Sequence, residues 1–212
     1  MTTESTAPVA DTRRSDARRR GILEAAQRIF LERGYAATSM SEIAASVGGS
    51  KGTLYNYFRS KEELFEALMQ EICVRAAAVF DSLPPPGSHA GLRASLIELG
   101  VSFMNLLLLD EIVAVNRIVI AECGRFPELG RMFYEAGPRR GEIRFSEYFE
   151  RAMAADLVRR DDPKVVGQRL KDLVMSDLYL RRLWGVVDAI GPRELRDHVD
   201  RSVDVFLRAY AA

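Results

Sequence analysis

The stretch SKGTLYNYFRSKEEL occupies residues 50–64, directly after the pair Gly48-Gly49. Ser50 is a helix cap, and glycine before it accepts the positive φ of a tight turn. A short helix is therefore predicted from Ser50 to about Phe58. At about 100° per residue, with Lys51 at zero, Leu54 and Phe58 fall at roughly 300° and 340°, on one side. Gly52, Asn56 and Thr53 fall at roughly 100°, 140° and 200°, on the other, with Tyr55 and Tyr57 on the shoulders. One side packs on protein. The other is small and polar, framed by phenols able to bond phosphate oxygens, and Gly52 lets a groove approach the backbone.

Upstream, Ile22, Ala26, Ile29 and Phe30 recur with helical period in a helix opening near Ser15 or Asp16 and ending at Gly34. Met40, Ile43, Ala44 and Val47 form the stripe of a second, short helix, with Thr38, Ser39 and Ser41 available as caps. Helix, short helix, glycine turn, short helix is the three-helix form of the helix-turn-helix. A plain three-helix subdomain with exposed tyrosines meets the same geometry. The capped basic start and the shoulder tyrosines are what favour DNA.

Residues 21–69, GILEAAQRIFLERGYAATSMSEIAASVGGSKGTLYNYFRSKEELFEALM, resemble the DNA-binding domain of the TetR family of bacterial transcriptional regulators. The likeness rests on G-Y-x-x-T-S-M at 34–40, S-K-G-T-L-Y-x-Y-F at 50–58 and S-K-E-E-L at 60–64. It implies that Thr38 holds a phosphate, that Gly52, Thr53 and Tyr57 face the major groove, and that Tyr55 and Lys61 grip the backbone. Ser50, Lys51 and Asn56 complete the candidate DNA-binding set. There is one departure: the family usually has an aliphatic residue after the turn glycine, and this chain has Gly49. That is expected to loosen the turn by ~0.5–1 kcal/mol of chain entropy. Arg13, Arg14, Arg18, Arg19 and Arg20 stand directly ahead of the domain and are candidates for phosphate or minor-groove contact.

Charge agrees in part. The chain balances 30 Lys/Arg with 30 Asp/Glu, but residues 1–61 carry ten against six, leaving +4 there and −4 in the rest. A basic front on an acidic body points to a polyanion at one end. Cys73 and Cys123 fall in apolar helical patterns without partner spacing and read as buried free thiols. His89 and His198 are far from each other and from any cysteine cluster, so no metal is expected. No cofactor is expected either. The first twenty residues lack the apolar run of a secretory signal, and GVSFMNLLLL at 100–109 is too short to span a bilayer. A cytoplasmic protein with no membrane partner is predicted.

The expected architecture is all-α: an N-terminal three-helix helix-turn-helix DNA-binding domain, then a C-terminal helical ligand-binding and dimerisation domain. Residues 1–14 read as a disordered basic arm, 15–60 as the DNA-binding domain and 61–212 as the regulatory body. Within the body, Ser60 caps a connecting helix over 61–83, which Pro84-Pro85-Pro86-Gly87 stops. Later helices are placed at about 90–109, 111–123, 127–134, 138–157, 163–187 and 192–210 by their prolines, glycines and caps.

A single recognition helix reads a half-site, so a homodimer on a palindromic double-stranded operator is expected. The last two helices carry more apolar surface than one core contact needs, and Leu173, Leu180, Trp184, Val199, Val203 and Phe206 are the candidate interface. TetR-like proteins dimerise through their last two helices, which agrees. The segment RIVIAECGRFPELGRMFYEAGP at 117–138 resembles the regulatory domain of AefR-like members, which implies a small-molecule effector. Candidate pocket residues are Phe103, Met104, Leu107, Phe126, Phe133, Phe145, Phe149, Met153 and Met175, with Asn105, Asn116, Glu122 and Asp177 as polar anchors. Such a stripe also suits plain core. The expected protein is a repressor released by a small apolar or amphipathic effector. The alternatives are an activator or a ligand-independent DNA-binding factor. An enzyme is not expected: there is no phosphate-cradling glycine loop, no metal-spaced cluster, and no nucleophile beside a base.

Overall fold

The computed structural model describes residues 9–81 and 89–212, with side chains described for 13–74 and 91–212. Among these residues the regular elements are helices: α1 Val9–Arg33, α2 Met40–Ser46, α3 Lys51–Tyr57, α4 Lys61–Asp81, α5 His89–Leu107, α6 Asp110–Glu122, α7 Pro127–Ala136, α8 Pro138–Ala154, α9 Pro163–Met175, α10 Leu178–Leu183 and α11 Pro192–Tyr210. The all-α expectation holds. Helix α1 starts at Val9, so residues 9–14, assigned to a disordered arm by composition, are helical. The proline run that was to stop α4 lies outside the described residues.

One predicted helix is two. The expected rod over 163–187 breaks at Ser176-Asp177, where Asp177 takes φ 60° and ψ −64° and the Leu178 N–H donates back to the Ser176 carbonyl at 2.7 Å. That is a classic γ-turn, a rare and strained one, whose positive φ is carried here by an aspartate and not by glycine. The break turns Leu178, Tyr179 and Leu183 of α10 inward and leaves Leu180 and Trp184 outside.

Two apolar cores form, and they do not divide at residue 60. The first joins α1, α2, α3 and α4 to Ile112, Val115, Ile118 and Val119 of α6 and to Leu129 and Ala136 of α7. The second joins α5, α8, α9, α10 and α11, with Val113 of α6. Helix α6 thus gives side chains to both, a stripe of four to the first and Val113 to the second.

The candidate DNA-interface members of the first three helices are set by caps. Ser39 opens α2 with a full capping box: its hydroxyl accepts from the Glu42 N–H at 3.3 Å, and Glu42 Oε2 accepts from the Ser39 N–H at 2.8 Å. The Ser39 N–H, and then the Ser39 hydroxyl donating to Glu42 Oε2 at 2.9 Å, hold the Glu42 carboxyl below its ordinary range. Gly48 takes φ +62° in the turn to α3. Ser50 Oγ accepts from the Thr53 N–H at 3.1 Å to open α3, and Ser60 Oγ accepts from the Glu63 N–H at 3.1 Å to open α4.

Candidate nucleic-acid interface and effector region

Leu54 and Phe58 anchor α3 in the first core, as the helical wheel requires. Ser50, Lys51, Gly52, Tyr55 and Asn56 are exposed, and Thr53 and Tyr57 are half-buried. The threonine–asparagine side faces out, where a duplex can reach it. Ser50 and Thr53 share a hydrogen between their hydroxyl oxygens at 2.9 Å, and Lys51 Nζ lies 5.9 Å from the Tyr55 ring centre. Gly52 has no internal reason to be glycine. A Cβ there would meet only Ser50 Oγ at 3.7 Å, an ordinary contact. Glycine in place of alanine costs a helix about 0.5–1 kcal/mol.

Two of the candidate phosphate ligands have other work. Thr38 is only 3% exposed, and its hydroxyl donates to the Gly34 carbonyl at 2.8 Å. It cannot reach a phosphate as placed, and the exposed cap beside it is Ser39. Lys61 spends two of its three N–H groups on the Tyr35 and Thr38 carbonyls, at 2.8 and 3.0 Å, with Nζ 4.3 Å above the Tyr35 ring. It locks the α1–α2 turn ahead of α2, which leaves one N–H of its ammonium for a further partner.

That turn is also where the body touches the head. Tyr35 is fully buried among Phe30, Phe65 and Phe126, with ring centres 5.2–5.5 Å apart. Its hydroxyl donates to Glu62 Oε1 at 3.0 Å, and burial, helped by that carboxylate, pushes its pKa far up. Phe126 closes the α6–α7 joint as the N-cap residue of α7, and Glu122 at the end of α6 accepts from the Ala36 N–H at 3.0 Å. Midway along α6, Arg117 donates to the Leu183 and Arg182 carbonyls, each at 2.8 Å, and at the start of the helix Asp110 bonds Arg182. One helix therefore ties the end of α10 to the turn ahead of α2. Periodicity missed this, because these partners lie tens of residues apart.

The effector residues do not gather round an opening. Phe103, Met104, Phe145, Phe149 and Met153 are buried in the second core, Phe103 stacked edge-on against Phe145 at 5.1 Å. Met175 packs against that core, Phe126 and Phe133 against the first, and Leu107 against both. Among the anchors, Asn105 and Asp177 are exposed, Asn116 is half-buried, and Glu122 serves the head as above. The polar group that burial does leave over is Tyr148, whose hydroxyl has no hydrogen-bond partner among the described residues. Burial pushes its pKa up to about 12, while the Ser95 side chain, close enough for a weak hydrogen bond but not a well-formed one, pulls the other way. A recess of about 600 Å3 lies instead between α4, α7 and α8, where Met132, Ala136 and Ile143 meet Arg131, Arg139 and Arg140.

The candidate dimer residues divide. Val199, Val203 and Phe206 are each 0% exposed, packed against α5, α8 and α9 of the same chain, so they cannot meet a partner. Leu173 is half-buried, Leu180 is exposed, and Trp184 is 71% exposed beside the exposed Val186. Cys73 is buried and free, with its thiol pKa raised by burial, while Cys123 is free but only half-buried. Among the described residues no metal-binding group forms, and no helix is long and apolar enough to cross a membrane.

Similarity to known proteins follows the same two parts. A family model described as bacterial regulatory proteins, tetR family, matches residues 22–68, and one described as the C-terminal domain of AefR-like transcriptional repressors matches residues 94–212. The HTH-type transcriptional repressor Rv1474c of Mycobacterium tuberculosis is 31% identical over 169 residues, covering 78% of this chain and 82% of that protein. The solved Flavonoid-responsive Regulator FrrA superposes with a TM-score of 0.79 at 34% identity, over 92% of this chain and 98% of that one. A protein from Mesorhizobium loti assigned to the TetR family gives a TM-score of 0.81 at 27% identity, over 94% and 99% of the two chains. Exposed reading helix, helical body and likeness along the length of both agree: the chain belongs to the TetR family, a DNA-binding transcriptional regulator with an AefR-like C-terminal domain and not an enzyme.

Proposed function

We propose that the protein is a ligand-responsive repressor that binds a palindromic operator as a homodimer and releases it when a small apolar or amphipathic effector binds. Residues 15–60 read the DNA, and 61–212 hold the effector and the partner. The observation that carries this reading is the outward face of α3, with Lys51, Gly52, Tyr55 and Asn56 exposed over a buried Leu54. Leu180, Trp184 and Val186 support a second copy, because exposed apolar clusters of this kind mark protein contacts. The α6 tie supports switching, since it links the body to the turn ahead of α2. A useful effector must favour the released state by ~1–3 kcal/mol.

The unpaired Tyr148 hydroxyl is the anchor that burial favours, and the recess beside α4 offers a route by which a ligand can press on the connecting helix. A flavonoid is the first probe, by analogy with FrrA. A second reading has its own observation: neither the recess beside α4 nor a smaller one between α1 and α2 is bordered by the candidate pocket residues, most of which are packed into the cores, as in a regulator without a ligand. Selection of DNA fragments by the purified protein tests the core of the proposal and should return an inverted repeat. A half-site without symmetry would sink the dimer. Adding flavonoid to the bound complex then separates the two readings, release supporting the sensor. No release by any amphipathic compound tried would favour the ligand-independent factor.

A further inference from the structure

Gly49 is where the chain leaves the family pattern, and the structure shows what stands in the vacated space. A Cβ at 49 would lie 2.6 Å from Nη2 of Arg18 and 3.8 Å from its Cζ, far too close for the first of these. The backbone does not demand glycine here, since the left-handed φ of the turn belongs to Gly48. What matters is the missing side chain: the arginine guanidinium occupies the place where an aliphatic plug would sit.

Arg18 is half-buried in this seat, and among the described residues no ion pair or hydrogen bond engages it. Arg18 and Glu24 both border a small recess between α1 and the end of α2, but Glu24 does not pair with Arg18, and Glu42 of α2 is taken by Arg33 and Ser39. A guanidinium carries five donors and does not give up its charge, so a half-covered one without an acceptor calls for a partner. Its surroundings say which. Gly49 leads straight into the Ser50 cap and the exposed Lys51, while the next α1 residue, Arg19, lies 5.3 Å from the Phe58 ring centre at the other end of α3. Two neighbouring arginines thus bracket the recognition helix.

We infer that Gly49 is a seat for Arg18, from which its guanidinium binds a DNA backbone phosphate beside the start of α3. The chain has exchanged an apolar turn plug for a pre-placed phosphate clamp, and the loosening expected of Gly49 is offset by the group packed on it. Guanidinium meets phosphate with two parallel N–H groups, and a seated side chain loses less freedom on binding. The inference rests on the DNA-binding reading and adds the pair that sets one contact of it.

The test is a double-mutant cycle on the selected operator duplex and on a random-sequence duplex, with affinity measured across salt concentrations. Arg18→Ala should weaken both duplexes by at least about tenfold at moderate salt and lower the slope of log affinity against log salt by about 1.8, the signature of two phosphates, one from each subunit of the dimer. Gly49→Val should give the same loss with Arg18 still present, because its side chain pushes the guanidinium away. In the Arg18→Ala background it should change nothing further. The displaced atom is the far end of a flexible side chain, so the variant should fold; Gly49→Ala, which adds only the Cβ, repeats the test if it does not. Additive losses, or an unchanged slope in Arg18→Ala, would overturn the pairing. A wild-type protein that binds neither duplex takes down the DNA reading itself, a separate outcome.

Discussion

Helices α3 and α10 are both short, both anchored by a few apolar residues, and opposite in what they show to water. α3 buries Leu54 and presents Lys51, Gly52, Tyr55 and Asn56. α10 buries Leu178, Tyr179 and Leu183 and leaves Leu180 and Trp184 outside, with Val186 just beyond. Water tolerates the first face, so α3 is complete in the lone chain and offers donors and a flat approach to a polyanion. The second face is incomplete until something apolar covers it. The uncovered chemistry, more than helix length or position, separates a surface for nucleic acid from a surface for protein.

The largest expected effect breaks that contrast at α10. Trp184→Glu removes two buried tryptophans per dimer at about 1.5–3 kcal/mol each, or about 3–6 kcal/mol together. The variant should sediment as a monomer with unchanged helical content. A variant that stays dimeric would remove α10 from the interface. Phe206→Ala is the counterpart inside the subunit. Phe206 is packed against Phe149, ring centres 5.3 Å apart, so the cost should be about 3–5 kcal/mol of folding stability. Its denaturation midpoint should fall while folded molecules sediment like wild type; dissociation without loss of stability would restore Phe206 to the interface. A smaller effect is expected at the tie between body and head. Glu122→Ala strips the Ala36 N–H of its acceptor and should lower operator affinity about tenfold, from the ~1.5 kcal/mol typical of a charge-assisted bond. Glu122→Gln keeps an acceptor and should retain most of it. If Glu122 instead anchors effector, both variants bind DNA normally and lose only the response.

The reading face of α3 was legible because its signals are local. Glycine turn, serine cap and the wheel positions of Leu54 and Phe58 all fall within eleven residues of chain, 48–58. Donor satisfaction was not. Lys61 finds its acceptors 26 and 23 residues away, and nothing in the spacing tells a protein carbonyl from a phosphate as the partner of an ammonium group. The α11 stripe Leu195, Val199, Val203 and Phe206 announced a buried face, but a stripe looks the same whether its own chain or a second copy covers it. The division of the last long helix was hidden because a γ-turn at Ser176-Asp177 carries no breaker residue. Thr38 could be read as a cap or a phosphate ligand only while the competing Gly34 carbonyl was out of view.

The smallest expected effect is also the one that separates fold from function most cleanly. Gly52 sits in the first turn of α3 with room for a Cβ, which would make only an ordinary contact with Ser50 Oγ at 3.7 Å. Gly52→Ala should therefore stabilise the helix by about 0.5–1 kcal/mol, since alanine gives up less chain entropy on folding. Operator affinity should fall all the same, because the added methyl stands on the face that meets the groove. Opposite signs in two measurements on one variant cannot come from damage to the protein. A rise in melting temperature with unchanged DNA binding would mean that the groove does not approach α3 at this residue, and the reading face would have to be redrawn toward Tyr55 and Asn56.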